Sequence, residues 1–340
     1  MAELQKEITV MNLYGYDNPQ YDLYIRQQNE KKNIRLLSNA AGLCVIGYVL
    51  IQNIISVVIL LTPLGELYNT NPSVQSVITI FYSVLSLLIP FGISGFYLEK
   101  KTGTDVFKFN KPVSTPLMIT AAALGFFVCL AGNYVTSVFV NIMDSAGVAL
   151  SSPEYSVPSD LGGRAVYVIS VAVVPALVEE FAIRGAVLQP LRRYGDKFAI
   201  LASALVFAVL HGNLIQAPFA LIAGVGIGYA VCITNSIWTG ILIHFCNNFY
   251  AVATEFMLAD ITDEKTLNIV YYVTMGVLYA VTIAGSAVFI VLKKKRRLMP
   301  SFTALSEGRK MKAFVLTIPM IIGFIIMLYI TSQFVDFRSN

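Results

Sequence analysis

Apolar residues run through this chain in long unbroken blocks, not in the three-to-four spacing of a helix with one wet face. The blocks cover residues 37–62, 74–98, 115–143, 165–190, 197–212, 215–234, 236–257, 268–292 and 313–335. Crossing a hydrocarbon core of about 30 Å takes roughly 20 apolar residues in a helix. The pattern therefore predicts an all-α, polytopic integral membrane protein with eight or nine transmembrane helices. The block at 197–212 is short, and few polar residues separate the blocks between Phe198 and Met257. Residues 1–36 are polar and carry Tyr14, Tyr16, Tyr21 and Tyr24, with no short apolar stretch near Met1 of the kind a secretory signal would place there. They are expected to form a cytoplasmic N-terminal arm.

Composition supports the same class. Hydrophobic residues make up 56% and charged residues 13%, with a mean hydropathy of +0.69. A soluble domain carries about 25% charged residues, so most of this surface is not built to face water. The net charge of +4 matters less than its placement. With the N-terminus inside, the outer segments keep only Arg164, Lys265 and Arg338, and Arg184 lies within a helix. All other Lys and Arg residues fall on inner segments, the asymmetry expected of cytoplasmic loops. The Lys-Lys-Lys-Arg-Arg run at 293–297 reads as a topology determinant in that series, and the bilayer, not nucleic acid, is the implied partner. Cys44, Cys129, Cys232 and Cys246 sit singly in apolar stretches and read as small packing residues, not a disulfide framework. Gly224, Gly226 and Gly228 lack the preceding strand of a phosphate loop. Gly224 and Gly228 have instead the small-xxx-small spacing of closely packed helices.

The informative residues are polar groups where lipid should be. Glu179, Glu180 and Arg184 fall in the middle of the 165–190 block. An ionisable group at the bilayer centre costs about 2.5–3.5 kcal/mol on insertion scales, so three together must face the protein interior or a wet cavity. Glu180 and Arg184 stand at i and i+4 in the favourable order for an ion pair. Glu179 points about 100° away and is left for another task. Both histidines of the chain, His211 and His244, also lie in apolar blocks, and Asn248 follows His244 by one turn on the same face. A carboxylate beside a histidine can activate water as a general base. A glutamate and two histidines can also hold a metal whose bound water attacks. Asn and imidazole N–H groups can stabilise a developing oxyanion. No serine or cysteine stands in a recognisable nucleophile motif. Residue types and spacing thus point to water-mediated hydrolysis in a membrane cavity, with or without a metal.

At these residues the chain resembles the CAAX protease and bacteriocin-processing (Abi) family of intramembrane peptidases. The family pattern appears as Glu179-Glu180-xxx-Arg184, Phe207-xxx-His211 and His244-xxx-Asn248, in order and in separate blocks, over about residues 165–250. The resemblance implies that Glu179 activates water together with His211. It further implies that His244 and Asn248 stabilise the oxyanion, while Glu180, Arg184 and Phe207 support the site. It leaves open a zinc held by Glu179, His211 and His244 and a metal-free glutamate mechanism. The implied substrate is a membrane-anchored protein or peptide, such as a prenylated CAAX protein or a peptide precursor, and the implied location a bacterial plasma membrane. The chain then divides into an arm at 1–36, transmembrane helices over 37–160, a catalytic core over 161–257 and C-terminal helices with a basic loop over 258–340. A non-catalytic immunity or scaffold protein would keep the same motifs. A proton-coupled transporter would use the same acids but would show repeated halves, and none is visible.

Overall fold

Local capping signals fix most helix ends. The computed structural model describes residues 19–107, 109–153, 155–294, 296–300 and 302–337. The sequence expectations for residues 1–18, Lys108, Lys295 and Arg338 lie outside the described residues. Helix α1 (Pro19–Leu60) is followed by the short α2 (Leu64–Thr70) and by α3 (Pro72–Thr102). Asn71 caps α3 by accepting from the Ser73 and Val74 N–H groups, with Pro72 in the first turn where no N–H is needed. Gly103, left-handed at φ 65°, ends α3 just after Lys100 and Lys101. Helix α4 (Thr115–Ser145) is capped by Ser114, and the long α5 (Leu161–Tyr194) by Asp160. Then come α6 (Asp196–Leu210), α7 (Ala217–Thr234), α8 (Ile237–Asp260), α9 (Glu264–Leu292), α10 (Glu307–Val315) and α11 (Ile318–Ser332). Two three-residue strands, β1 (Val148–Leu150) and β2 (Val335–Phe337), pair antiparallel with Val148 opposite Phe337.

Every apolar block has a helix in the structure. Six helices among the described residues are long and apolar enough to cross a membrane: α1, α3, α4, α5, α7 and α9. A seventh span results if α10 and α11, bent by 72° at their junction, are taken as one. The bend follows from an extended Thr317 and from Pro319 in the first turn of α11. Helices α6 and α8, in the expected blocks 197–212 and 236–257, do not pass on length and composition. Helix α6 has 15 residues, about 22 Å, and α8 carries the polar residues of the site. Residues 19–36 of the expected arm are the first half of α1, which at 42 residues outruns the bilayer. The chain is an all-α, multi-pass membrane protein. Its outer helices leave Leu50, Ile54, Leu60, Ile283, Ile290 and Leu328 more than half exposed, as a lipid-facing surface requires.

The helices sort the connecting segments into two ends. At one end Ser236 Oγ donates to the Asn110 carbonyl at 2.7 Å, and the Met299 N–H donates to Asp196 Oδ2 at 2.8 Å. The Glu30 carboxylate accepts from the Ala304 and Leu305 N–H groups at 2.7 and 3.0 Å. Fully buried Lys310 reaches the Tyr194 carbonyl at 2.7 Å. This end therefore gathers the segments around residues 26–37, 99–114, 192–197 and 293–312, where the basic residues concentrate. At the other end Arg164 grips Asp260 with two bonds of 2.6 and 2.5 Å, Gln75 accepts from the Ser156 N–H, and β1 pairs with β2.

Helices α4, α6, α7 and α8 are packed tightly. A Cβ on Gly224 would come within 3.0 Å of Ala204 on α6, and one on Gly226 within 2.8 Å of Val128 on α4. Gly228 meets Ile200 and Leu188 in the same way. The three glycines thus let α7 lie against neighbours on two sides, the close approach that small residues permit between membrane helices. The four cysteines are free, with Cys44, Cys129 and Cys232 buried and Cys246 partly so.

Candidate active site

The site begins with an irregular helix. In α5 a single α-helical stretch, Val174–Glu180, lies between two π-helical ones, Ile169–Val173 and Phe181–Leu188. Pro175 lies at the start of the α-helical stretch. Having no N–H, it cannot donate to the Val171 carbonyl four residues earlier, and the helix widens there. Glu179 and Glu180 stand at the end of this stretch, and wide turns of this kind recur at functional sites.

The two carboxylates meet different surroundings. Glu180 is fully buried, as is Arg184, and Glu180 Oε1 accepts from Arg184 Nη1 at 2.9 Å, the i,i+4 pair read from the sequence. The same Oε1 faces His244 Nδ1 at 3.0 Å. Glu180 therefore fixes an arginine and a histidine at once, a second duty its spacing did not disclose. Arg184 also directs Nη2 towards the Gly224 carbonyl at 3.4 Å and lies over the Phe207 ring at 4.8 Å. Gly240 makes room for this carboxylate, since a Cβ there would sit 2.6 Å from Glu180 Oε2. Glu179 by contrast keeps 25% of its side chain exposed, with Oε2 3.8 Å from His244 Nε2.

Each imidazole has one nitrogen committed. His211, just past the end of α6, places Nδ1 2.8 Å from the Phe207 carbonyl of its own last turn. A carbonyl can only accept, so Nδ1 carries the hydrogen, and in the neutral ring Nε2 is the free acceptor. His244 Nδ1 donates in the same way to Glu180, which turns Nε2 towards Glu179. The Phe207 ring stands edge-on to both histidines, at 4.8 Å from His211 and 5.8 Å from His244. Buried Phe207 thus holds two imidazoles and one guanidinium in fixed relation.

Asn248 lies one turn beyond His244 on α8, and its Nδ2 donates to the Val171 carbonyl at 3.1 Å. Its Oδ1 accepts from Asn247 at 3.3 Å, and Asn247 accepts in turn from Asn133 on α4 at 3.5 Å. Asn133, Asn247 and Gly240 are site residues that sequence reading passed over. An Asn in an apolar helix is itself an intramembrane polar group, and that signal was present at Asn133 and Asn247.

The structure thus brings Glu179, Glu180, Arg184, Phe207 and His244 into one connected cluster, with His211 joined to it through Phe207 and Asn248 one helical turn away. A zinc site on Glu179, His211 and His244 does not fit this arrangement. Among the described residues no three His, Cys, Asp or Glu side chains converge on a point where they could hold an ion. No step is therefore derived through a metal.

No curated protein and no solved structure matches the chain. Residues 162–250 of this multi-pass membrane protein, which hold Glu179, Glu180, Arg184, Phe207, His211, His244 and Asn248, are similar to Rce1-like proteins: they match that family's model, described as type II CAAX prenyl endopeptidase Rce1-like.

Proposed function

We propose that the chain is an intramembrane endopeptidase that hydrolyses a membrane-anchored substrate, of prenylated CAAX type or a peptide precursor, with water activated by Glu179. One observation carries the reading: of two adjacent carboxylates, Glu180 is consumed by Arg184 and His244, while Glu179 stays part-exposed beside His244 Nε2. A general base needs such a free carboxylate within reach of the water it deprotonates.

In this scheme Glu179 takes one proton from the attacking water as its oxygen bonds to the scissile carbonyl carbon. His211 Nε2 accepts the water's other hydrogen and aims the lone pair. The carbonyl oxygen becomes an oxyanion facing His244 and Asn248. His244 offers Nε2–H, and Asn248 offers the amide hydrogen not used on Val171. Collapse breaks the C–N bond, and the Glu179 proton passes to the leaving amine. Glu180 and Arg184 stay paired throughout and hold His244 in line. We place the enzyme in a bacterial plasma membrane with its basic end in the cytoplasm, following the charge asymmetry and the family resemblance.

The test is cleavage of a prenylated, membrane-anchored peptide by the purified protein. Glu179→Gln should lower kcat by about 10²-fold or more, the range expected of a general base, with the melting temperature unchanged. Full activity in that variant would overturn the assignment.

A further inference from the structure

Two adjacent arginines at the end of α5 are used as differently as the two glutamates. Arg192 donates from Nε to Asp196 Oδ1 at 2.8 Å and from Nη1 to Asn235 Oδ1 at 3.0 Å. Arg193 is exposed and forms no ion pair among the described residues. It borders a cavity of about 260 Å³ between α1, α3 and α5, at the basic end of the molecule. Lys101, in the last turn of α3, lines the same cavity and is likewise exposed, with no ion pair among the described residues. A cation in the last turn of a helix is ordinary, because it offsets the negative end of the helix dipole. Here two such turns place both cations on one cavity that no acid lines. Like charges gathered without a counter-charge repel, and an incoming anion relieves that repulsion.

Hydrogen-bond donors stand beside the cations. Thr102 is committed, donating to the Leu98 carbonyl at 2.8 Å and accepting from the Thr104 N–H at 3.3 Å. The Thr104 hydroxyl makes no hydrogen bond among the described residues and lines the cavity. Asn33 of α1 lines it too and meets the Tyr194 side chain there. Glu30 is within electrostatic reach of Tyr194, but it gives both oxygens to the Ala304 and Leu305 N–H groups. Leu36 adds an apolar edge. The frame is fixed on two sides. Buried Lys310 holds the Tyr194 carbonyl at 2.7 Å, and Glu99 accepts from the Val106 and Phe107 N–H groups at 2.8 and 3.2 Å. The cavity is smaller than the roughly 300–1,000 Å³ of a site for a drug-sized ligand, and it suits one small anionic group. Basic pockets between transmembrane helices on the cytoplasmic side take phospholipid headgroups. A phosphate is matched by the fork of an arginine and the point charge of a lysine.

We propose that this cavity binds the phosphate of an anionic phospholipid headgroup, with Arg193 and Lys101 as its cationic ligands and the Thr104 hydroxyl as a further donor. The bound lipid ties the end of the helix that carries Glu179 to α1 and α3. The assignment does not depend on the peptidase reading.

The test is a titration of phosphatidylglycerol into the full chain in neutral detergent, read by melting temperature and by native mass spectrometry. It is run in about 0.3 M salt, where attraction to scattered exposed charges is largely screened. Phosphatidylglycerol should raise the melting temperature, as a ligand of the folded state does, and phosphatidylcholine should not. Lys101→Gln combined with Arg193→Gln should weaken phosphatidylglycerol binding by roughly tenfold or more, the worth of two cations near a headgroup. Arg296→Gln combined with Arg297→Gln removes the same charge from the exposed basic loop and should weaken it less than about threefold. Equal weakening by the two pairs, or none by the first, would overturn the proposal. Each variant is compared with and without lipid, so a change in its own stability does not imitate lost binding.

Two further arms fix the place and the source. Leu36→Trp fills the cavity without changing any charge and should weaken the lipid as the cation pair does; wild-type affinity in that variant would put the lipid elsewhere and sink the site. Glycerol 3-phosphate carries the same phosphate without acyl chains. If it leaves the melting temperature unchanged at concentrations where the lipid saturates, the headgroup of a membrane lipid is the occupant. If it matches the lipid and displaces it, a soluble phosphate compound is the occupant and the lipid assignment falls.

Discussion

At the residue scale the site depends on one carboxylate oxygen that serves two partners. Glu180 Oε1 meets both Arg184 and His244, at 2.9 and 3.0 Å, and its companion Oε2 is lodged where residue 240 has no side chain. Removing one partner of a buried pair is strongly destabilising, because it strands a charge in a medium that cannot solvate it. Crowding the pair is a milder way to test its geometry. Gly240→Ala would drive a methyl group against Glu180 Oε2, Val231 and Ile227. The expected outcome is a loss of about 1–3 kcal/mol of stability by overpacking and at least a tenfold fall in kcat, read by thermal melting and peptide cleavage. Much of this level was legible in the sequence. The i,i+4 spacing gave the Glu180–Arg184 pair, and the turn between His244 and Asn248 gave their common face. The link from Glu180 to His244 was not legible, because it joins residues 64 positions apart through the packing of α5 on α8. Nor was the hub role of Phe207, whose ring orders three side chains that its motif merely precedes.

At the level of elements, the apolar blocks predicted where helices run but not how they deviate. Residues 169–173 and 181–188 are as apolar as the rest of α5, and nothing in their hydropathy foretells two π-helical stretches. Pro175 is the one local sign of the first. The 72° turn between α10 and α11 was likewise hidden inside a continuous apolar block, with Pro319 as its only local mark. That turn is held from outside: Ser38 on α1 hydrogen-bonds Thr317 Oγ1 at 2.7 Å and also the Phe314 carbonyl. One turn along, Gly42 lies directly against the backbone of Pro319 and Met320. Gly42→Ala should therefore push α11 off α1 and cost about 1–3 kcal/mol, measured by denaturation in detergent. Gly276→Ala on α9, where an added Cβ would meet nothing, should be neutral or slightly stabilising under the same conditions.

For the whole molecule, the charge pattern along the chain and the contacts in the structure describe the same two ends. The basic segments were assigned to one side from sequence alone, and the hydrogen bonds of Glu30, Asp196, Lys310 and Ser236 draw those segments together. Single cysteines introduced into an otherwise cysteine-free variant should report the orientation. Residue 152, at the opposite end, should react with a membrane-impermeant maleimide in intact cells, and residue 300 only after permeabilisation; the reverse order would invert the assignment. The seam at the basic end has a further consequence, for how the protein is made. Residues 27 and 30 of α1 hydrogen-bond residues 304 and 305, and the face of α1 around Ser38 and Gly42 is covered by the start of α11. During synthesis α1 must wait for α11 before this face is buried. Until α11 has been made, α1 is a lodger in the bilayer with a polar notch turned towards lipid, and a chain cut short before α10 would keep that notch open for quality-control proteases to find.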